Sequence, residues 1–140
     1  MALKASRLKV GDIYTEKIVE DLKRTQVVQY AGASGDYNPV HTDEIFAVKV
    51  GGFPSIFAHG MLTMGMTGKM LTNFVGDGRL TRYGVRFTHQ VWPGDDLEAR
   101  ATVEAIREEK GKHTVDLKVE TVNQNGLVVL SGYASARIDP

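Results

Sequence analysis

Residues 61–74 read MLTMGMTGKMLTNF, and wound as a helix they place apolar side chains on nearly every side: Met61, Leu62, Met64, Met66, Met70, Leu71 and Phe74. A helix that is apolar almost all round is one that other parts of the fold bury on most of its faces. Gly65 and Gly68 interrupt the run, and each costs about 1 kcal/mol against alanine inside a helix. Their presence predicts something passing close to the backbone. Tightly wrapped strands are the simplest candidate.

The flanking sequence supplies the strands. From residue 79 onward the hydrophobic period changes to two. Tyr83, Val85 and Phe87 alternate with Arg82, Gly84 and Arg86, and Leu97, Ala99, Ala101 and Val103 follow a Pro93-Gly94 turn. Val115, Leu117 and Val119 make a further strand, and Asn125-Gly126 signals a hairpin leading into Val128, Leu130, Gly132, Ala134 and Ala136. With Ile13 to Val19 as a first strand, one buried helix and five antiparallel strands give an α+β domain. Periodicity alone admits more than one helix-on-sheet topology. A sheet this small leaves long edge strands, and unpaired edges invite another chain, so dimerisation is expected.

Upstream, a helix is expected from about Arg24 to Ala33, with Val27, Tyr30, Ala31 and Ser34 on one face, and it runs into Tyr30–His41, YAGASGDYNPVH. Gly35 permits a turn at positive φ and Pro39 pushes Asn38 out of the helical region. The helix must therefore stop near Ser34. Asp36, Asn38 and His41 are left on an irregular segment where a carboxylate and an imidazole five residues apart can face one cavity. General acid–base catalysis needs two such groups within reach of one proton, and supplies roughly 10²–10⁴ in rate. Asp, Asn, Gly and Pro are also the commonest turn formers, so by residue type alone the segment reads first as a loop. Beyond it, Thr42 is expected to cap a short helix with Asp43 and Glu44 in its first turn, ending at Gly51-Gly52.

The whole string decides between those readings. An aromatic residue (Tyr30), the triplet Ser34-Gly35-Asp36, the pair Asn38-Pro39, an aliphatic Val40, His41 and then Ala47 resemble, position by position, the signature of the MaoC-like or R-specific enoyl-CoA hydratases. FAHGMLTM, residues 57–64, is similar to the segment that opens that family's central helix, and RYGVRFTHQVWPGDDLEA, residues 82–99, to its strand pair around a PGD turn. A VGD near residue 10 extends the likeness, whereas the last forty residues match only in pattern.

This resemblance implies a hot-dog fold, a curved antiparallel sheet wrapped around a long central helix, with residues 1–140 forming one such domain. It implies reversible hydration of trans-2-enoyl thioesters, carried by CoA or acyl carrier protein, to R-3-hydroxyacyl thioesters, with Asp36 and His41 as the acid/base pair in either order. Asn38 is expected to orient the water or to hold the loop. Gly60, following His59 at the start of the buried helix, is expected to bind the thioester oxyanion through its N–H, an early helix amide with no intrahelical partner. Ser34 and His59 are supporting candidates. A hydroxyl further along this helix supports the acid in some relatives; Thr63 and Thr67 are available, but Gly68 stands at the aligned position. Hot-dog families usually form dimers with a continuous sheet, so a homodimer is expected, with a heterodimer left open.

Composition narrows the alternatives. Lys plus Arg equals Asp plus Glu at 17 each, which argues against a broad nucleic-acid footprint or a membrane-surface helix. The chain has no cysteine, which excludes disulfides and thiol chemistry, and no paired-His spacing suggests zinc. No metal or cofactor is expected. MALKASRLKVGD lacks the apolar core of a secretory signal and no apolar run approaches membrane-spanning length, so a cytoplasmic location is expected. His89 and His113 are expected on strands at the surface without acidic neighbours. Lys49, Lys69, Arg79, Arg82 and Arg86 read either as partners of a carrier's phosphates or as a solvated face, and the methionines of the helix as an acyl tunnel or plain core. Two rivals stay in view. A non-catalytic acyl-binding or partner subunit has no chemical reason to keep Asp36, Asn38 and His41 together. A hot-dog thioesterase uses a carboxylate on or near the central helix, and residues 61–74 hold none.

Overall fold

The computed structural model describes residues 3–140. Strand β1 (Ile13–Val19) leads into helix α1 (Arg24–Ser34), a 3₁₀ turn at Pro39–His41 and helix α2 (Glu44–Lys49). The long helix α3 (Gly60–Val75) follows, then strands β2 (Leu80–Phe87), β3 (Leu97–Glu109), β4 (Lys112–Asn123) and β5 (Val128–Ile138). The strands form one sheet in the order β1-β3-β4-β5-β2, antiparallel throughout. Helix α3 lies against β1, β2, β3 and β5, which is the hot-dog arrangement.

The period-two residues become the inner face of the sheet. Leu97, Ala99, Ala101 and Val103 of β3, Val115, Leu117 and Val119 of β4, and Leu130, Ala134 and Ala136 of β5 are all buried. The alanines keep that face low, so the helix can sit close. Opposite them α3 buries Leu62, Thr63, Thr67, Met70, Leu71 and Val75, and each large apolar side chain so enclosed contributes about 1.5–3 kcal/mol.

Several expectations are corrected here. Helix α3 is buried on most sides, as expected, and stays open along one stripe at every fourth residue: Met61, 54% exposed, then Gly65, Lys69 and Asn73. Gly65 faces open space, whereas a Cβ on Gly68 would lie 3.2 Å from the ring of Tyr83. Only Gly68 is thus explained by close approach, and what approaches is a side chain, whose hydroxyl donates to Met64 O at 2.6 Å. The edge strands β1 and β2 have 7 and 8 residues, fewer than any inner strand, so the edges are the short strands rather than long ones. Asp43, not Thr42, caps α2, its carboxylate accepting from Phe46 N at 3.2 Å. Strand β3 runs six residues past Val103 to Glu109, where its side chains leave the core and the apolar alternation fades. Lys110-Gly111 close the β3–β4 hairpin at φ 52° and 77°, the two positive values a type I′ turn demands. His89 lies in the loop beyond β2, and His113, partly buried in β4, does have an acidic neighbour, Glu108 at 3.7 Å.

Candidate active site

Helix α1 ends because Gly35 takes φ 76° and returns its N–H to Ala31 O at 3.0 Å. A ladder of local bonds then shapes the loop. Ser34 Oγ accepts from Asp36 N (3.1 Å), Asp36 Oδ1 from Asn38 N (3.2 Å), and Asn38 Oδ1 from Val40 N (3.2 Å). Pro39 begins the 3₁₀ turn with φ already set. Asn38 and Ser34 therefore hold the backbone that presents Asp36 and His41, and of the two roles considered for Asn38 the geometry displays the loop-holding one. Residues 32–38 are all exposed in the single chain, Tyr37 by 67%.

His41, by contrast, is buried. Its Nδ1 lies 2.7 Å from Phe57 O. A carbonyl only accepts, so Nδ1 carries the proton and Nε2 of the neutral ring offers a lone pair. Burial holds its pKa below the ordinary imidazole range and the nearby His59 adds to the lowering, against the opposing effects of the Phe57 bond and the Asp36 charge. A neutral imidazole at neutral pH is what a general base requires.

His59 ties the two halves together. Its Nε2–H donates to the Asp36 carbonyl at 3.0 Å. Its ring stacks on that of His41, centroids 3.8 Å apart and planes 25° apart, while Tyr30 presents an edge at 4.8 Å. The potential ligating atoms of Asp36, His41 and His59 all lie within 4.8 Å of one another. They do not suit a metal ion. An imidazole donates in its own ring plane, and two planes so nearly parallel converge far beyond the about 2.0–2.1 Å of a zinc–nitrogen bond.

Ala58 N donates to Val91 O at 2.8 Å, which pins the segment before α3. His59 is the N-cap and Gly60 the first helical residue; His59 gives no side-chain cap, and among the described residues no loop carbonyl takes up the Gly60 N–H. Gly60 and Thr63 border a cleft of about 260 Å³ whose other walls include Phe57, Phe87, Val91 and Val129. Asp36 and His41 stand outside that lining, His41 meeting Phe57 edge to face with centroids 5.1 Å apart, so within one chain the cleft meets Gly60 but not the acid/base pair directly. Thr67 turns to the core and bonds Thr121 at 2.6 Å.

Among the basic residues, Arg79 pairs with Asp139 at 2.9 Å and Arg82 lies over the Tyr133 ring at 4.4 Å. Sequence reasoning missed the Phe57 carbonyl that fixes the His41 tautomer. No pattern of side chains announces a backbone acceptor.

A family model described as MaoC like domain matches residues 8–125. The chain is 34% identical over 133 residues to the mitochondrial 3-hydroxyacyl-[acyl-carrier-protein] dehydratase of Arabidopsis thaliana, covering 92% of this chain and 76% of that protein. It is 28% identical to the (R)-specific enoyl-CoA hydratase of Aeromonas caviae, covering 97% of this chain and 99% of that one. The solved (R)-hydratase from A. caviae involved in PHA biosynthesis superposes with a TM-score of 0.84 at 27% identity, over 96% and 99% of the two chains. Against 3-hydroxyacyl-thioester dehydratase Y of Mycobacterium tuberculosis the match is 42% identical but spans 46% of this chain and 23% of that protein. With the family model covering most of its length, its sheet order and helix placement shared with a solved relative, and its acid, imidazole and helix-mouth glycine in one neighbourhood, the chain belongs to the MaoC-like domain family.

Proposed function

We propose that the protein is a hydro-lyase that adds water reversibly across the 2,3-double bond of trans-2-enoyl thioesters, carried by CoA or acyl carrier protein, to give R-3-hydroxyacyl thioesters in fatty-acid metabolism. The names of its relatives support the reaction class, and one observation carries the mechanism: a buried neutral His41 with Nε2 free, beside Asp36, next to a helix whose first residue, Gly60, borders a cleft of mixed polar and apolar lining. In the hydration direction a water held between Asp36 and His41 loses a proton to His41 Nε2 as its oxygen bonds to C3. The π electrons move to C2 and the thioester oxygen, where the Gly60 N–H meets the growing negative charge. C2 then takes the proton from the pair, which restores the starting state. Dehydration retraces the path. Oxyanion donors act because they strengthen as charge develops.

A homodimer belongs to the proposal. Supporting it are the open edge of β2, the exposed stripe of α3 and the exposure of residues 32–38 around the acid. Sedimentation showing only monomer at micromolar concentration would remove it. A single domain over residues 1–140 and a cytoplasmic location are parts of the same reading; among the described residues no helix is long and apolar enough to cross a membrane.

The test is turnover. Crotonyl-CoA and a longer trans-2-enoyl-CoA are incubated with the protein, loss of the conjugated thioester absorbance is followed, and product chirality is determined. Asp36→Asn and His41→Ala are expected to lower kcat by roughly 10²–10⁴. Undiminished turnover in both variants sinks the assignment, and release of free CoA without water addition points to a thioesterase instead.

A further inference from the structure

Two buried polar atoms near the site lack a hydrogen-bond partner: His59 Nδ1 and Thr63 Oγ1. Both residues are almost wholly enclosed, at 2% exposure each. An unpaired buried polar atom costs about 1–3 kcal/mol, so two in one neighbourhood call for an explanation. His59 is the N-cap of α3 and Thr63 the fourth residue of that helix, so the two lie within one turn of each other on either side of Gly60. The remaining valences are already committed. His59 Nε2–H is given to Asp36 O, and His59 O accepts from Leu62 N at 3.1 Å. Thr63 also borders the cleft at Gly60.

We infer that Thr63 is a positioning residue of the acid/base pair, its hydroxyl fixing His59 through one buried water that bridges Thr63 Oγ1 to His59 Nδ1. A hydroxyl can donate or accept as the water requires, and a water with two such partners satisfies both orphans. The consequence lies one contact further on. His59 touches both members of the pair, the Asp36 carbonyl through Nε2–H and the His41 ring by stacking. Which ring nitrogen carries the proton is set by the bond the other one makes. Holding Nδ1 from behind keeps Nε2–H aimed at the Asp36 loop and keeps the ring face flat against His41. Without it the Nδ1 side of the ring is unheld, and the orientation on which both contacts depend is loosened.

The inference deepens the hydro-lyase reading and rests on it for its kinetic arm alone. Thr63→Val removes the hydroxyl at nearly constant shape, Thr63→Ser retains it, and Thr63→Ala repeats the comparison at smaller volume if valine impairs folding. Long-range ¹H–¹⁵N correlation on labelled full-length protein reads the His59 Nδ1 resonance, which moves when a hydrogen bond to it is lost. Thr63→Val is expected to shift that resonance and to lower kcat roughly 10–100-fold at unchanged KM, the scale of misplacing a reacting group by about 1 Å. Thr63→Ser should restore both. An Nδ1 resonance indifferent to Thr63→Val overturns the inference whatever the rate does, and a shifted resonance with unchanged kcat overturns the positioning role. Should the parent protein turn over no enoyl thioester, the functional reading fails while the resonance still tests the link between Thr63 and His59.

Discussion

The amide at the mouth of α3 can be removed without breaking the helix, because Gly60 is the first helical residue and proline is tolerated there. His59 already has φ −60° and ψ 137°, the extended conformation that a following proline imposes. The obstacle is steric. A Cβ at residue 60 would fall 2.8 Å from Phe87 Cδ2 and 2.9 Å from Cε2 and Cγ, against about 3.5–4.0 Å for carbon atoms in contact. Phe87 is 49% exposed, so trimming it should cost less than emptying a core site. Three variants then separate the effects: Phe87→Ala, Phe87→Ala with Gly60→Ala, and Phe87→Ala with Gly60→Pro. The second adds a methyl group and keeps the N–H; the third adds the ring and loses it. If this N–H binds the thioester oxyanion, kcat on crotonyl-CoA should fall by roughly 10²–10³ between the second and third, about 2.7–4 kcal/mol of transition-state stabilisation. Their melting temperatures should stay close. Equal kcat in the alanine and proline forms, both folded, would refute the role given to Gly60.

Because burial places the His41 pKa below the ordinary imidazole value, the acid limb of kcat/KM should inflect below about pH 6.5; an inflection above that contradicts a neutral, desolvated base. The same sign governs stability: the unfolded chain takes up the proton first, so denaturant midpoints should begin to drop as pH falls through about 6.5 and level off below the folded value, a trend that His41→Gln should flatten. Thr67 and Thr121 satisfy each other in the core, so Thr67→Val alone should cost about 1–3 kcal/mol in urea unfolding and the double change to valine close to nothing; additive losses would contradict it. A Cβ on Gly132 would overlap Gly84 O and fall 2.7 Å from Val85 Cα, both backbone of the neighbouring β2, so Gly132→Ala should destabilise by about 1–3 kcal/mol or more, read as a lowered thermal midpoint.

The parts of the fold that were legible in the sequence are those in which side chains sort by burial. Residues 97–103, 115–119 and 130–136 alternate because every second position meets α3, and the strands emerged with their inner faces correctly assigned. Legibility fails where the ladder continues outside the core: past a bulge between Val103 and Ala105, residues 105–109 still pair with β4, yet Ala105 and Ile106 are only partly covered and Arg107, Glu108 and Glu109 are exposed, which removes the alternation. The apolarity of residues 61–74 foretells a helix buried on most sides but not where its one open stripe falls. Apolar side chains are necessary for burial and do not prove it, and the exposed stripe at Met61, Gly65, Lys69 and Asn73 lies open in a single chain.

At the site the division falls between side chains and backbone. YAGASGDYNPVH gives away its acid and imidazole through the resemblance of the whole string, since by residue type alone it reads as a loop, and Gly35 and Pro39 dictate where the helix must stop. What makes them a pair is written in carbonyls. Phe57 O selects the His41 tautomer and Asp36 O receives His59, and neither carbonyl depends on the residue type that bears it. The two rings stack because α3 begins where His59 ends and because Ala58 is pinned to Val91, contacts made across eighteen and thirty-three residues of chain. A motif thus states which groups do the chemistry, while the tautomer that makes one of them a base is set by the fold around it.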